Sequence, residues 1–188
     1  ALTVHAGYAQ LEGELTDGLR MTAGVRYETA DQTVVPTDNL PPTVLSNDYC
    51  LPAATLTWNF PADMQWRLHG SKTIARPQFR ELAPQVYRDF ESDRLFFGNP
   101  QLRDSELKNF EARYEWFMPK GQRITVAGFY KDIKNPTEQV AFFPTNESPL
   151  QTGFSYAPSA KLYGAEFEAV KYIPLDSLGE GFFATRRL

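Results

Sequence analysis

Several features that define common protein classes are missing from this 188-residue chain. Cys50 is its single cysteine, which rules out an intrachain disulfide and a cysteine-based metal cluster. The formal net charge is -4, with both signs mixed and no basic run, so the charge pattern of a nucleic-acid-binding protein is absent. No apolar run approaches the roughly 20 residues of a membrane-spanning helix. These absences exclude a helical membrane protein and leave nucleic acid out of the expected partners.

The chain also lacks a recognisable start and a recognisable end. Residues 1–5 have neither the basic start nor the apolar run of a secretory signal. At the other end, the alternating pattern is still running at Leu188. We therefore expect the chain to be an internal piece of a larger, exported protein.

Residues that carry chemistry are sparse and isolated. His5 and His69 lie far apart and have no serine or carboxylate motif beside them. Glu166 and Glu168 share a strand face, but no apolar pocket signal accompanies them to separate their pKa values for acid and base roles. The sequence predicts no catalytic residue, no metal ligand and no cofactor, and so no enzyme.

Alternation of apolar and polar residues with period two is the dominant pattern of the chain. In residues 3–15 the odd positions from Gly7 to Leu15 are small or apolar, while the even positions are polar. Similar alternation marks eight segments: 3–15, the segment from 19, 49–60, 64–76, 104–117, 122–133, 160–172 and the segment from 181. The facing of 122–133 is undecided from the pattern. The fold class predicted is all-β, an antiparallel up-and-down meander of about eight long strands.

Short and long connections alternate between these segments. Short turns rich in Pro, Gly or Asp occupy 16–18, 61–63 and 119–121, with a looser one at 174–181. Long polar connections occupy 31–48, 77–103 and 134–159. Short turns at one end and long loops at the other are typical of an arc of a transmembrane β-barrel. Strands of some 12 or 13 residues exceed the roughly 9 to 11 that cross a bilayer, so they should project on the long-loop side.

The polar strand faces carry Glu and Arg at every second position, which is more charge than a dry core would bury unpaired. A wet barrel interior accommodates these charges, and so does a solvated outer face of a soluble sheet. Aromatic residues near the short turns favour the barrel, because rings gather at the membrane interface. The predicted interface aromatics are Trp58, Phe60, Trp66, Trp116 and Phe117. Cross-strand packing at hairpin ends is the alternative.

Three landmarks in order carry a family resemblance. The Ala-Arg-Pro step at 75–77 leads through a loop to Gly-Asn-Pro-Gln-Leu at 98–102, followed by the segments 126–136 and 162–168. This arrangement closely resembles the barrel of TonB-dependent outer-membrane receptors. Pro77 removes a ladder donor and residues 98–100 turn the chain, so the landmarks are expected to be structural.

The resemblance implies a location and an activity. Such receptors lie in the outer membrane of Gram-negative bacteria as barrels of roughly 22 strands with an N-terminal plug domain. They import ferric siderophores, cobalamin or oligosaccharides with energy transduced by TonB. Residues 1–188 would be a partial barrel domain without the plug, unable to transport alone. Its open edge strands are expected to self-associate.

Ligand recognition, if present, is expected in the long loops, because loops on a rigid scaffold usually carry it. Arginine suits anionic siderophores, and aromatic rings suit sugar faces or apolar chelators. The candidate ligand-binding residues are Tyr87, Arg88, Asp89, Arg94, Phe96, Phe142, Phe143 and Tyr156. A self-packed surface loop is the competing interpretation.

Two other architectures stay open from the sequence. A complete eight-stranded membrane barrel would pair its first strand with its last within one chain. A soluble β-sheet module, such as a carbohydrate-binding domain, would pack two sheets around a dry core.

Overall fold

A computed structural model describes residues 1–36, 41–61, 63–89, 94–143, 145 and 150–172. The predicted all-β class is confirmed. The elements in chain order are β1 (Leu2–Thr16), β2 (Leu19–Val34), β3 (Thr43–Phe60), β4 (Met64–Ala75), α1 (Phe79–Leu82), β5 (Val86–Asp89), β6 (Arg94–Phe97), β7 (Ser105–Met118), β8 (Gln122–Lys134), β9 (Thr137–Phe142), β10 (Gln151–Tyr156) and β11 (Ser159–Val170). No helix within the described ranges is long and apolar enough to span a membrane.

Seven long strands form one antiparallel sheet in the order β1-β2-β3-β4-β7-β8-β11. This order is the predicted meander, in which each strand pairs with the strands beside it in the sheet. Among the described residues, β1 and β11 are the outer strands and do not pair with each other. The described part of the sheet is therefore an open arc. The predicted turn at 174–181 and the strand from 181 lie outside the described residues, and edge self-association stays a prediction.

Left-handed backbone conformations close the short turns at the predicted places. Gly18 has φ +72°, and a Cβ there would lie 2.7 Å from the Asn59 carbonyl oxygen. Asp63 and Lys120 adopt φ 59° and φ 64°, and Gly121 adopts φ 74°. Glycine, asparagine and aspartate tolerate this region best, which explains Gly18, Asp63 and Gly121 in these turns.

Three strands of the main sheet have the 12 or 13 residues expected, namely β4, β8 and β11 with 12, 13 and 12 residues. The other four are longer, since β1, β2, β3 and β7 have 15, 16, 18 and 14 residues. The long connection expected at 31–48 is correspondingly wrong in its bounds. β2 continues to Val34 and β3 begins at Thr43, with Val34 opposite Thr43 and Thr33 opposite Val44. These β-branched residues extend the ladder because their side chains pack well across paired strands.

Strand register settles the facing that the sequence left open in β8. Residues directly opposite each other in an antiparallel pair share a face. Glu115 is opposite Thr125, and Trp116 is opposite Ile124. Thr125 therefore shares the charged face of β7, and Ile124 shares the tryptophan face. We call these the inward and the outward face of the sheet.

The two remaining long connections are folded rather than irregular. They form a second sheet in the order β5-β6-β10-β9, in which β6 and β10 are parallel. A core cluster joins this small sheet to the end of the main sheet; it consists of Val34, Leu82, Ala83, Leu102 and Phe154. The expectation of polar loops at 77–103 and 134–159 was incomplete, because strands of four to six residues are too short to show a clear period.

Candidate membrane-facing and ligand-binding surfaces

Large apolar side chains cover the outward face of the main sheet and have no protein partner over much of their surface. Leu11 is 81% exposed, Phe167 is 71% exposed and Tyr163 is 74% exposed. Register through the successive ladders of the sheet places these residues on the same face as Trp116. A continuous apolar face of this kind requires an apolar environment such as lipid.

The height of this apolar belt matches a bilayer. In β3 the apolar outward residues are Cys50, Pro52, Ala54, Leu56, Trp58 and Phe60, a stretch of eleven strand positions. At about 3.3 Å per residue and a tilt of roughly 40°, this stretch rises about 25 Å. Beyond it the outward face becomes charged, and Lys72 pairs with Glu106 at 2.7 Å. The strands thus continue past the belt on the long-loop side, as their length led us to expect.

Four of the five predicted interface aromatics lie together at the short-turn end of the outward face. Trp58 and Phe60 have ring centroids 4.1 Å apart, and Trp66 lies 5.3 Å from the ring of Tyr114. Trp66 is opposite Trp58, and Trp116 is opposite Met64 in the neighbouring ladder. An interfacial role for this group stays a prediction.

Phe117 lies on the other side of the sheet from these rings. It is opposite Arg123 and follows Trp116 directly in β7. Successive strand residues point to opposite faces, so the Phe117 side chain lies on the inward face. Closeness to a turn in sequence does not reveal this difference, whereas the register does.

The inward face is lined by ion pairs. They are Arg20–Glu12 at 3.2 Å, Arg67–Glu115 at 3.7 Å, Arg113–Glu111 at 3.2 Å and Arg123–Glu168 at 2.8 Å. Glu166 and Glu168, which alternate with outward Phe167, belong to this lining. A water-filled or protein-filled interior is consistent with such a surface, whereas a dry sandwich core is not.

Glu28 is a buried charge just beyond the apolar belt and is only 4% exposed. Arg26 Nε donates to its Oε2 over 2.7 Å, and Arg76 Nη2 donates to its Oε1. The hydrogen bonds from Arg76 and then Arg26 hold the pKa of Glu28 below its ordinary value, against the opposing effect of burial. Arg76 belongs to the Ala-Arg-Pro step, so this landmark fixes the end of β4 against β2.

Replacing Glu28 with glutamine is expected to lower the unfolding free energy by about 1 kcal/mol at neutral pH, because a neutral amide removes the negative charge that accepts hydrogen bonds from Arg26 and Arg76. Since the folded pKa is depressed, the stabilisation by Glu28 is present above pH 4.5 and is lost as the pH falls through the folded value. Denaturant unfolding of the complete protein in detergent should therefore show a difference between wild type and E28Q that narrows below pH 4.5. A constant difference would contradict this assignment. The exposed pair of Arg20 with Glu12 supplies the control, since E12Q should change stability by less than about 0.5 kcal/mol.

The Gly-Asn-Pro turn is a structural connector, as the sequence indicated. A Cβ on Gly98 would lie 2.1 Å from the Ala83 carbonyl oxygen, so only glycine fits there. Asn99 donates from its backbone to the Glu81 carbonyl at 2.6 Å and from Nδ2 to the Phe154 carbonyl at 3.0 Å. The turn therefore joins α1 to β10, and Leu102 behind it is 2% exposed.

The structure divides the candidate ligand-binding residues between the two faces of the small sheet. The register places Arg88 and Phe142 on one face, and Tyr87, Phe96 and Tyr156 on the other. The rings of Tyr87 and Phe96 stack at 5.5 Å and pack against the core cluster. The packing of these two rings agrees with the interpretation of a self-packed surface loop.

Three other candidate ligand-binding residues, Arg94, Phe143 and Tyr156, are more exposed to solvent. Arg94 is exposed, and its backbone is opposite Asp89. Phe143 is 64% exposed, and Tyr156 lies under the Arg103 guanidinium at 5.8 Å. A ligand role for the predicted set is untested by this geometry and stays a prediction.

Two cavities near this end contain residues that the sequence reasoning missed. One, of about 490 Å³, is lined by residues that include Gln32, Arg76 and Arg80. The other, of about 530 Å³, lies where β3 continues beyond its ladder with β4. There Tyr49 donates to buried Asp104 at 2.9 Å, and burial with this hydrogen bond raises the pKa of the Tyr49 phenol. Both cavities are lined by segments that are distant in sequence, so no local sequence motif predicts them.

The outward apolar belt, charged inward face and folded loop end define the wall of an outer-membrane-type β-barrel. The model of the TonB-dependent receptor-like β-barrel family matches residues 2–183, and the chain belongs to that family. Family members are outer-membrane receptors and not enzymes. This membership excludes the soluble carbohydrate-binding module considered from the sequence.

Solved structures share the fold at low sequence identity. The siderophore receptor PirA from Pseudomonas aeruginosa matches with a TM-score of 0.70 and 17% identity, over 93% of this chain and 32% of that chain. The hemophore receptor HasR from Serratia marcescens matches at 0.67 and 14%, over 89% and 31%. The ferric enterobactin receptor PfeA from Pseudomonas aeruginosa, solved with enterobactin, matches at 0.65 and 17%, over 93% and 25%. The chain thus spans between a quarter and a third of these receptors. A comparison with curated proteins gave no match.

Proposed function

We propose that this chain forms part of the wall and extracellular loops of a receptor that imports a scarce nutrient across a Gram-negative outer membrane. The observation that carries the proposal is the two-faced main sheet, with an apolar belt of bilayer height outward and ion pairs inward. Residues 1–188 are one partial barrel domain in this proposal. Import would draw on energy transduced by TonB and would need a plug domain inside the complete barrel.

A ferric siderophore is the nutrient class that best fits the chain. One structural neighbour is named a siderophore receptor and another a ferric enterobactin receptor, and a third, a hemophore receptor, was solved in complex with its hemophore and heme. The extracellular end of this chain presents Arg80, Arg94 and Arg103 together with exposed aromatic rings. Guanidinium groups suit the oxygen-rich anions that chelate ferric iron. Cobalamin and oligosaccharides are the alternatives.

The complete receptor should support growth under iron limitation. We expect a strain that lacks the receptor to lose uptake of radioactive iron supplied with its siderophore, and expression of the receptor should restore it. Restoration should fail in a TonB-deficient strain and after collapse of the proton-motive force. Uptake that persists without TonB would contradict the proposed mechanism. Uptake of cobalamin or an oligosaccharide in place of iron would reassign the nutrient.

A further inference from the structure

Three lysines lie in one row on the outward face of the main sheet, just beyond the apolar belt on the long-loop side. Lys72 is opposite Lys108, Lys108 is opposite Asp132, and Asp132 is opposite Lys161. We call Lys72, Lys108 and Lys161 the lysine row. Neighbouring strands are about 4.8 Å apart, so the row extends across four strands over roughly 14 Å.

The outward face around the lysine row carries an excess of positive charge. Beyond the belt, the described residues of β4, β7, β8 and β11 place four lysines and two acids on this face, namely Lys72, Lys108, Lys134, Lys161, Glu106 and Asp132. Positive charges therefore outnumber negative ones by two. In contrast, β2 and β3 place Asp31 and Asp48 on the same face, so the excess is confined to one side of the arc.

Most of these ammonium groups have no close acidic partner. Lys72 binds Glu106 at 2.7 Å, and each of these side chains is 29% exposed. Lys108, Lys134 and Lys161 are exposed, and their side chains form no hydrogen bond or ion pair in the described part of the chain. Like charges on neighbouring strands repel one another, and a bound anion removes this repulsion. Phosphate suits such a group, because its oxygens accept charge-assisted hydrogen bonds from several ammonium groups.

An open groove of about 790 Å³ lies next to the lysine row, toward the middle of the belt. Its floor on the outward face is formed by Ala112, Gly128 and Ala165, which are opposite one another across β7, β8 and β11. Three aromatic rings stand between this floor and the lysine row; they belong to Phe110, Tyr130 and Tyr163. Small side chains beside large ones leave a channel in which a hydrocarbon chain gains van der Waals contacts.

The position of the lysine row relative to the belt selects a lipid as the occupant. The belt has the height of the hydrocarbon layer, so the lysine row beyond it lies at the level of lipid headgroups. Tyr130 and Tyr163 occupy the border, where rings with a polar tip are favoured. The groove then leads from the headgroup level into the hydrocarbon layer. A lipid with an anionic headgroup matches both features, whereas a free anion matches only the lysines.

We propose that the lysine row and the groove bind one phosphorylated lipid of the leaflet on the long-loop side. Its phosphate groups contact Lys108 and Lys161, with Lys72 beside them, and one acyl chain lies in the groove over Gly128. In a Gram-negative outer membrane, that leaflet contains lipid A, a glycolipid with two phosphates. The inference concerns how the wall is held in its membrane, and so it goes beyond the import of a nutrient.

Purified lipid A is the probe, and native mass spectrometry of the complete receptor in detergent measures its binding. Lys108→Gln and Lys161→Gln should each weaken binding about fivefold, and the double variant about 20-fold, because each lysine near a membrane surface attracts an anionic lipid. Lys131→Gln is the matched control, since Lys131 is opposite Asn109 on the inward face and should leave binding unchanged. Equal affinity of wild type and the double variant would overturn the inference.

The headgroup is tested from the side of the ligand. Lipid A from which both phosphates have been removed should bind at least tenfold more weakly than the intact lipid. Inorganic phosphate at about tenfold molar excess over lipid A should not displace it, because a free anion gains nothing from the groove. Displacement by inorganic phosphate would overturn the assignment to a lipid, and so would undiminished binding of the lipid without phosphates.

Gly128→Val tests the groove separately from the charges. A Cβ at Gly128 meets only the Gly164 carbonyl oxygen, at 3.9 Å, so valine fits there without strain and fills the floor. Binding of lipid A should fall about threefold or more. Gly7→Val is the control, because Gly7 lies on the outward face of β1, far from the groove, and a Cβ there meets nothing within 4 Å. Equal affinity of wild type and G128V would refute the place given to the acyl chain.

Folding and nutrient import are separated from lipid binding by two further measurements. Heat-modified mobility on gels verifies that each variant barrel is folded. Lipid A binding that depends on Lys108 and Lys161 in a protein without TonB-dependent uptake would support the lipid site and refute the proposed function. Uptake with TonB in a protein that does not bind lipid A would do the reverse.

Discussion

Gly98→Ala is expected to destabilise the core cluster at the long-loop end of the sheet by about 3 kcal/mol. The added Cβ would lie 2.1 Å from the Ala83 carbonyl oxygen and 2.8 Å from the Arg80 carbonyl oxygen. Both are backbone atoms of α1 or its end, so a rotamer change cannot relieve the overlap, and overpacking of this kind costs roughly 1 to 3 kcal/mol or more. The Asn99 hydrogen bonds to Glu81 and Phe154 would separate with the shift.

Hydrogen exchange in the complete receptor measures this effect locally. The amides of Ala83 and Asn99 bond to carbonyls of α1 and should exchange about 100-fold faster in G98A, because local opening needs less free energy. Amides in the centre of the β3–β4 ladder should be unaffected. Gly7→Ala is the control, since a Cβ there meets nothing within 4 Å. Equal protection of these amides in wild type and G98A would contradict the prediction, because the turn would then accommodate the added Cβ without loss of stability.

Leu11→Arg is expected to destabilise the complete barrel in lipid by about 2 to 4 kcal/mol. Leu11 lies on the outward face opposite Ala23, midway along the apolar belt, and is 81% exposed in the isolated chain. An arginine at this depth would be transferred into the hydrocarbon layer, where charge costs most near the midplane. Reversible denaturant unfolding from lipid vesicles measures the difference.

Gln10→Arg is the matched control because it is the preceding residue of the same strand. Gln10 is opposite Gly24 on the inward face, where the neighbouring pair is Glu12 with Arg20. An arginine there stays in a polar environment and should change stability by less than about 1 kcal/mol. In a soluble sheet both positions would be exposed and both variants mild. Similar effects of L11R and Q10R would therefore contradict the membrane-facing assignment of the outward face.

The sequence predicted the strands of the main sheet because their period of two is a local property. Asp17-Gly18 and Pro119 to Gly121 marked turns that the structure closes with positive φ angles at Gly18, Lys120 and Gly121. The same reasoning missed the small sheet, since β5 and β6 have only four residues each. It also grouped Phe117 with Trp116, because distance from a turn carries no information on facing.

The candidate site was less accessible to sequence reasoning than the wall. Tyr87 and Phe96 are aromatic residues of a type common in ligand-binding loops. In the structure their rings stack on each other and pack on the core cluster. Conversely, Arg76 belongs to the Ala-Arg-Pro landmark, which was expected to be structural. Arg76 also lines the cavity of about 490 Å³ together with Gln32. Residue type alone does not separate an aromatic that packs inward from one that meets a ligand.

By itself the sequence determined the alternation of faces, the short turns and the three landmarks, and so the kind of wall that this chain builds. These features depend on neighbours within a few residues, where backbone geometry and side-chain period suffice. The tertiary structure alone decided the facing of β8, the cluster closed by Gly98 and the cavity at Gln32. Each of these depends on register or on contacts between distant segments, such as the 45 positions between Gln32 and Pro77. No local pattern encodes which distant residue will be opposite.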